Sequence, residues 1–135
     1  MDLAKALAIS ARGMEAQTTR LRTIAENLAN QDTTGSTPGA TPYRRKTVTF
    51  ENKLDRELGA SVVDVKEVGT DKSAFPLRHD PSHPAANKDG YVQEPNVNSF
   101  VELMDMREAQ RSYNANLNTL EVTRAMLSRT VEMLK

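Results

Sequence analysis

Apolar residues recur every seven positions at both ends of the chain. Leu7, Met14, Leu21 and Leu28 form one row, accompanied by Leu3 and Ile24. Met106, Tyr113, Leu120, Leu127 and Leu134 form another, accompanied by Leu103, Leu117 and Val131. Such rows put one apolar seam on each of two helices, the pattern by which helices pack on other helices. These positions are therefore the candidate subunit interface. Both seams are interrupted, by Ser10 and Gln17 in the first and by Gln110 and Arg124 in the second. Polar residues in a seam lower stability while fixing register and partner number. The helix pair is thus expected to be marginal, and partly disordered in the isolated chain.

Glycine and proline divide the chain into three. All six prolines and five of the six glycines fall between Gly35 and Pro95. Residues 1–30 are expected to form an N-terminal axial helix, ended by Thr33, Thr34 and Gly35, with Pro38 and Pro42 preventing its resumption. Residues 98–135 contain neither glycine nor proline and are expected to form a C-terminal axial helix. Ser99 with Glu102 three residues on reads as its capping box. Residues 31–97 form a β-rich and looped middle region. Lys46–Phe50 and Val62–Val68 are the candidate strands, and Phe75–Gly90 is an ordered loop with turns. The predicted class is mainly α: two long terminal helices in an antiparallel coiled-coil-like pair, forming one helical domain, with a small β-hairpin and loop region between them.

Length sharpens this picture. A helix over residues 98–134 spans roughly 55 Å at 1.5 Å per residue. A globule of this chain length is only about 37 Å across by the radius-of-gyration scaling. Such a helix protrudes, and its apolar seam needs a cover. Intermolecular packing is expected.

Composition then narrows the function. Aromatic residues make up 4% of the chain and tryptophan is absent, so a large core is not expected. Lys and Arg total 18, as do Asp and Glu, so no long-range field favours nucleic acid or an anionic membrane. There is no cysteine, which removes disulfides, thiol catalysis and cysteine metal sites together. No stretch approaches the ~20 apolar residues of a membrane span, so a membrane-spanning chain is not expected. Asp2 and Lys5 interrupt the start where a cleaved leader would carry its apolar run.

The best chemical candidate is His79-Asp80-Pro81-Ser82-His83. Histidines four apart align as metal ligands on a helix, but Pro81 and Pro84 forbid one here, and there is no third histidine. A proline-braced loop contacting a neighbour is the stronger reading. No activated-serine elbow or phosphate loop is present. The basic cluster Arg44-Arg45-Lys46 is better read as a solvated edge or a contact for an acidic partner surface than as a nucleic-acid site. No catalytic, cofactor-binding or metal-ligating residue is assigned, and no cofactor is expected. An enzyme is not indicated.

Four motifs carry a family resemblance. Asn27-Leu28-Ala29-Asn30-Gln31-Asp32-Thr33-Thr34-Gly35, placed after an amphipathic helix, resembles the N-L-A-N-x-x-T-x-G signature of bacterial flagellar rod and hook proteins. Asn27, Leu28, Ala29, Asn30, Thr33 and Gly35 are its matching positions. Pro42–Phe50 resembles the P-Y-R-x-K-x-V-x-F segment of the family's proximal-rod members. Gly90-Tyr91-Val92 with Pro95-Asn96-Val97, and Arg111-Ser112-Tyr113 with Ala115-Asn116, resemble two further segments in the expected order. Residues 36–41 and 51–90 contribute less. Gly35 suits a left-handed turn, and Asn30 can serve the end of the helix.

The resemblance implies a structural subunit of the proximal rod, in a tube that transmits torque from motor to hook. It implies copies of itself, other rod proteins and basal-body proteins adjacent to the MS ring and export gate as partners. It also implies passage through the flagellar type III export apparatus without a cleaved signal peptide, to the periplasmic rod of the basal body. A generic coiled-coil adaptor, binding a helix of an unrelated partner, is the alternative for the same seams.

Overall fold

The computed structural model describes residues 2–135. Helix α1 (Leu3–Ala29) is followed by strands β1 (Lys46–Asp55), β2 (Ala60–Thr70), β3 (Leu77–His79) and β4 (Tyr91–Gln93), and then by helix α2 (Ser99–Met133). Helix occupies 46% of the chain and strand 20%. Two long helices thus flank a β region that is larger than a mainly α description allows. The strands continue past the alternating stretches that mark them in the sequence. β3 and β4, at three residues each, are too short to leave a periodic pattern.

Local chemistry fixes each end. Asp2 caps α1, its Oδ1 accepting from the Ala4 N–H at 3.0 Å. At the other end Asn30 Nδ2 donates to the Glu26 carbonyl at 2.9 Å, and the Thr33 N–H returns to the Asn30 carbonyl. Gly35 is needed for space and not for a left-handed turn: its φ is not positive, but a Cβ there would lie 2.6 Å from Ala40 Cβ. The cap of α2 is Asn98 instead of Ser99. Asn98 Oδ1 accepts from the N–H groups of Phe100 at 3.0 Å and Val101 at 3.4 Å. This leaves the Glu102 side chain free to turn inward.

β1 and β2 form a hairpin, joined through a turn in which the Asp55 carboxylate accepts from the Glu57 and Leu58 N–H groups, both at 3.1 Å. Gly59 closes that turn with a φ of 63°. β3 and β4 pair antiparallel, with Leu77 opposite Gln93, Arg78 opposite Val92 and His79 opposite Tyr91.

The chain divides into two compact units. One contains α1 up to Leu21, residues 48–67 and α2 from Met106 onward. The other contains residues 22–47 and 68–105. In the first, Ser10, Ala16, Val62, Ala109 and Thr123 are buried. In the second, Thr23, Ile24, Asn27, Val92 and Glu102 are buried. These cores are thin and unusually polar. No helix among the described residues is long and apolar enough to cross a membrane.

Candidate functional site

The second unit is organised around two fully enclosed polar side chains, Asn27 at 1% exposure and Glu102 at 0%. Asn27 stands in the last turn of α1. An amide offers two donors and two acceptor lone pairs, and here all four are used. Its Oδ1 accepts from the Tyr43 hydroxyl at 2.8 Å and from the Lys46 N–H at 2.9 Å. Its Nδ2 donates to the Lys46 carbonyl at 2.9 Å and to Glu102 Oε2 at 3.3 Å. The amide thereby mimics a strand partner for Lys46 at the start of β1.

Glu102 is held on its other oxygen by Arg45 Nε. The same guanidinium lies 3.6 Å from Asp71 and 3.5 Å from Asp105, and its side chain is 22% exposed. A buried carboxylate without a cation would be prohibitively costly; Arg45 supplies that cation through a fork geometry a lysine lacks. Burial lowers the proton affinity of Arg45, but the Glu102 hydrogen bond and the charges of Glu102, Asp71 and Asp105 outweigh it, so the guanidinium is held above its ordinary range.

Asn96 secures the backbone around this pair. Its Oδ1 accepts from the Arg45 N–H at 2.7 Å, while Nδ2 donates to the Asp71 carbonyl at 3.0 Å and to Ser73. Arg44 donates to the same two carbonyls and lies 4.1 Å over the ring of Phe75. Lys46 Nζ pairs with Glu26 at 2.9 Å. The basic cluster at 44–46 therefore finds carboxylates and carbonyls within its own unit, with the Lys46–Glu26 pair still open to solvent.

The remaining signature positions surround this lock. Leu28 is half-buried and Ala29 exposed, Thr33 Oγ1 donates to Asn30 Oδ1 at 3.1 Å, and Thr34 Oγ1 lies 3.2 Å from His83 Nε2. The Ala85 N–H donates to His83 Nδ1 at 3.0 Å, so the neutral ring carries its proton on Nε2 and donates to Thr34. His79 instead packs edge-on against Tyr91, 5.0 Å between ring centroids. Among the described residues no three His, Asp or Glu side chains converge as metal ligands would.

Of the seam positions, Ile24 alone is fully buried. Leu3, Leu7, Met14, Leu21 and Leu28 are half-buried, as are Met106, Tyr113, Leu117 and Leu120. Leu103, Leu127, Val131 and Leu134 are exposed. Glu102, Arg45, Asp71 and Asn96 are not among the site residues that the sequence indicates. One sequence signal does point to Glu102: it sits one turn before Met106 on the seam side of α2, where a carboxylate demands a partner.

The lock joins the end of α1, the start of β1 and the first turn of α2, and through Asn27, Tyr43 to Lys46 and Asn96 it draws on three of the four motifs that carry the family resemblance. It builds a joint between the two terminal helices. Residues 7–40 match the family described as flagella basal body rod protein, and residues 88–133 match the flagellar basal body rod FlgEFG protein C-terminal family. The chain belongs to the flagellar basal-body rod protein family.

Within it, the similarity is to proteins named flagellar basal-body rod protein FlgC. The relative from Agrobacterium fabrum is 50% identical, covering 98% of this chain and 96% of its own. That from Aquifex aeolicus is 40% identical over 100% and 99%, and that from Bacillus subtilis 36% identical over 96% of each.

Proposed function

We propose that this chain is a structural subunit of the flagellar basal-body rod, of the FlgC type. The full-length 50% identity to a rod protein is the observation that carries this reading. The lock is its physical counterpart, because Asn27 lies in one family-matched region and Asn96 and Glu102 in the other.

In this proposal residues 1–30 and 98–135 act as one helical domain in an antiparallel pair. Two contacts in the first unit support that direction: Gly13 faces Asn116, and Arg20 reaches Glu108 at 3.5 Å. Moving up one helix accompanies moving down the other. Repeated in neighbouring copies, the half-covered rows from Leu3 to Leu28 and from Leu103 to Leu134 become the subunit interface of the proximal rod. The tube spreads torsional load over many helix contacts on its way from motor to hook. Copies of the chain, other rod proteins, MS-ring-adjacent proteins and the type III export apparatus are its partners.

Deleting the chain and restoring it in trans tests the reading. Basal bodies should lack a complete rod without it, and the restored chain should be found in purified basal bodies. Normal rods in its absence, with the chain recovered as a discrete dimer elsewhere in the cell, would favour the coiled-coil adaptor.

A further inference from the structure

Of the two histidines in the proline-braced loop, His83 ties that loop to a distant part of the chain. Its ring is held at both nitrogens. Nδ1 accepts from the Ala85 N–H at 3.0 Å, and Nε2 lies 3.2 Å from Thr34 Oγ1. Thr34 follows Thr33, whose carbonyl accepts from the Tyr43 N–H at 2.9 Å, so the ring reaches the stretch that leads from α1 into the lock. His83 and Thr34 are both half-buried. The two segments they bridge also wall an open cleft of about 350 Å³. Gly39 and Ala40 come from one segment, and Ala85, Asn87 and Tyr91 from the other.

The Ala85 bond suits one protonation state only. A side-chain acceptor bonded to the N–H two residues on is the geometry of an Asx turn. Asn87 makes such a turn with the Asp89 N–H at 3.0 Å. An amide oxygen accepts at any pH, but Nδ1 accepts only while the imidazole is neutral. Protonation places a second donor where the Ala85 N–H already points. Two donors facing each other at 3.0 Å leave the bond unmade and the ring without its inner anchor.

The charges around the ring favour its departure. The Asp80 carbonyl accepts from the His83 backbone N–H at 3.1 Å. The Ser82 hydroxyl donates to Asp80 Oδ1 at 2.7 Å and holds that carboxyl below the usual carboxylate range, with Arg78 and His83 contributing. Asp80 is therefore ionised throughout the range in which imidazoles titrate, roughly pH 5 to 8. Arg78 on β3 lies 3.6 Å from Asp80 but is shared with Glu94 at 2.8 Å. His79, the other imidazole, stands beside Gly90 and Tyr91. Lys88 and Asp89 are exposed in the loop, and Asp32 is exposed after α1. Residues 33–42, on the Thr34 side, carry no charged side chain. An imidazolium thus gains a carboxylate by turning to Asp80 and gains none by staying.

We infer that His83 is a pH-operated latch between the 80–90 loop and the turn that follows α1. Neutral, it pins the two together. Protonated, it releases the Ala85 N–H, turns to Asp80 and draws away from Thr34, loosening both walls of the cleft. The latch goes beyond the rod reading and does not depend on it.

NMR of the purified full-length chain between about pH 8 and pH 5 tests it, with amide protection corrected for the intrinsic exchange rate at each pH. At the upper limit the His83 ring should be the Nε2–H tautomer and the Ala85 amide protected. At the lower limit the ring should be doubly protonated, and the Ala85 protection should fall roughly tenfold, as loss of one ordinary hydrogen bond produces. The Thr34 methyl resonance should shift with the same midpoint. His83→Asn keeps an acceptor for the Ala85 N–H and removes the titration, so Ala85 should stay protected throughout. His79→Gln should leave the Ala85 response unchanged. A wild-type ring that stays neutral across the range, or Ala85 protection that survives its protonation, would overturn the inference. So would protection that falls equally in His83→Asn, or that is missing in the wild-type chain at the upper limit.

Discussion

Arg45 and Glu102 share one ion pair but differ in what each leaves behind when removed. Arg45→Ala strands a carboxylate with no access to water and should cost about 3–5 kcal/mol. Glu102→Ala leaves a guanidinium that still has Asp71, Asp105 and some solvent, and should cost less, about 1–3 kcal/mol. Urea denaturation of the two variants checks the order. Asn27→Asp should be as harmful as Arg45→Ala, because it replaces both donors with a carboxylate oxygen facing Glu102 and the Lys46 carbonyl.

The lock also has a pH signature. Burial raises the Tyr43 phenol above its ordinary value of about 10; Lys46 opposes the shift, and Glu26 and Glu102 add to it. A raised folded value means the stabilisation is complete below about 10 and is lost as pH rises through the shifted value. Asp71 behaves oppositely. Its bonds from Ser73 hold it below the usual range, with Arg45 contributing, so its stabilisation is present above about 3.8 and lost as pH falls. Tyr43→Phe should flatten the alkaline limb of a stability–pH curve, and Asp71→Asn the acid limb.

Asn27 can be singled out from the sequence as part of a motif, but its partners cannot. Glu102 imitates a capping residue because Ser99 precedes it by three. Its actual partner, Arg45, lies far upstream and is invisible to any local pattern.

Among elements, the helices are legible in the sequence and their packing is not. Proline and glycine exclusion locates both helices to within a few residues. The heptad rows point to Leu7, Met14 and Leu21 as the packed side, yet the buried positions of α1 are Ser10, Ala16, Thr23, Ile24 and Asn27. Small and polar residues win the inner side because they admit close approach and the hydrogen bonds of the lock. Gly13 shows the constraint most clearly: a Cβ at this position would come within 2.9 Å of the Asn116 amide. Gly13→Ala should be tolerated after a small movement of that flexible side chain, whereas Gly13→Leu should separate the helices and lower the melting temperature. Ile24→Ala should cost about 2–5 kcal/mol by opening a cavity. Thermal unfolding of these variants separates steric crowding from lost burial. The hairpin is half legible, since Val48 and Phe50 alternate but Asn52, Lys53 and Asp55 do not announce a strand. Pairing within the sheet and the Asp55 turn extend it.

For the whole molecule, a neutral composition poor in aromatic residues points to assembly, and the motifs name its kind. What a single sequence cannot divide is the apolar surface: which rows the chain covers itself and which it leaves for others. Hydrogen exchange should report that division. Amides of residues 124–134 should exchange rapidly in the free chain and become protected in isolated basal bodies, while those around Asn27 and Glu102 should be protected in both. Equal protection of the two regions in the free chain would contradict this.

The placement of the lock has a consequence in time. Asn27 lies near the beginning of the chain, Arg45 a third of the way along, and Glu102 three-quarters of the way. Any process that delivers the polypeptide N-terminus first must bring out residue 102 before the amide can find its carboxylate. Until then Arg45 lacks its main counter-charge, and Asn27 has its Tyr43 and Lys46 partners but not the Glu102 bond that ties α1 to α2. Connectivity itself thus sets an order, in which the tie between the first helix and the last forms only after residue 102 has emerged.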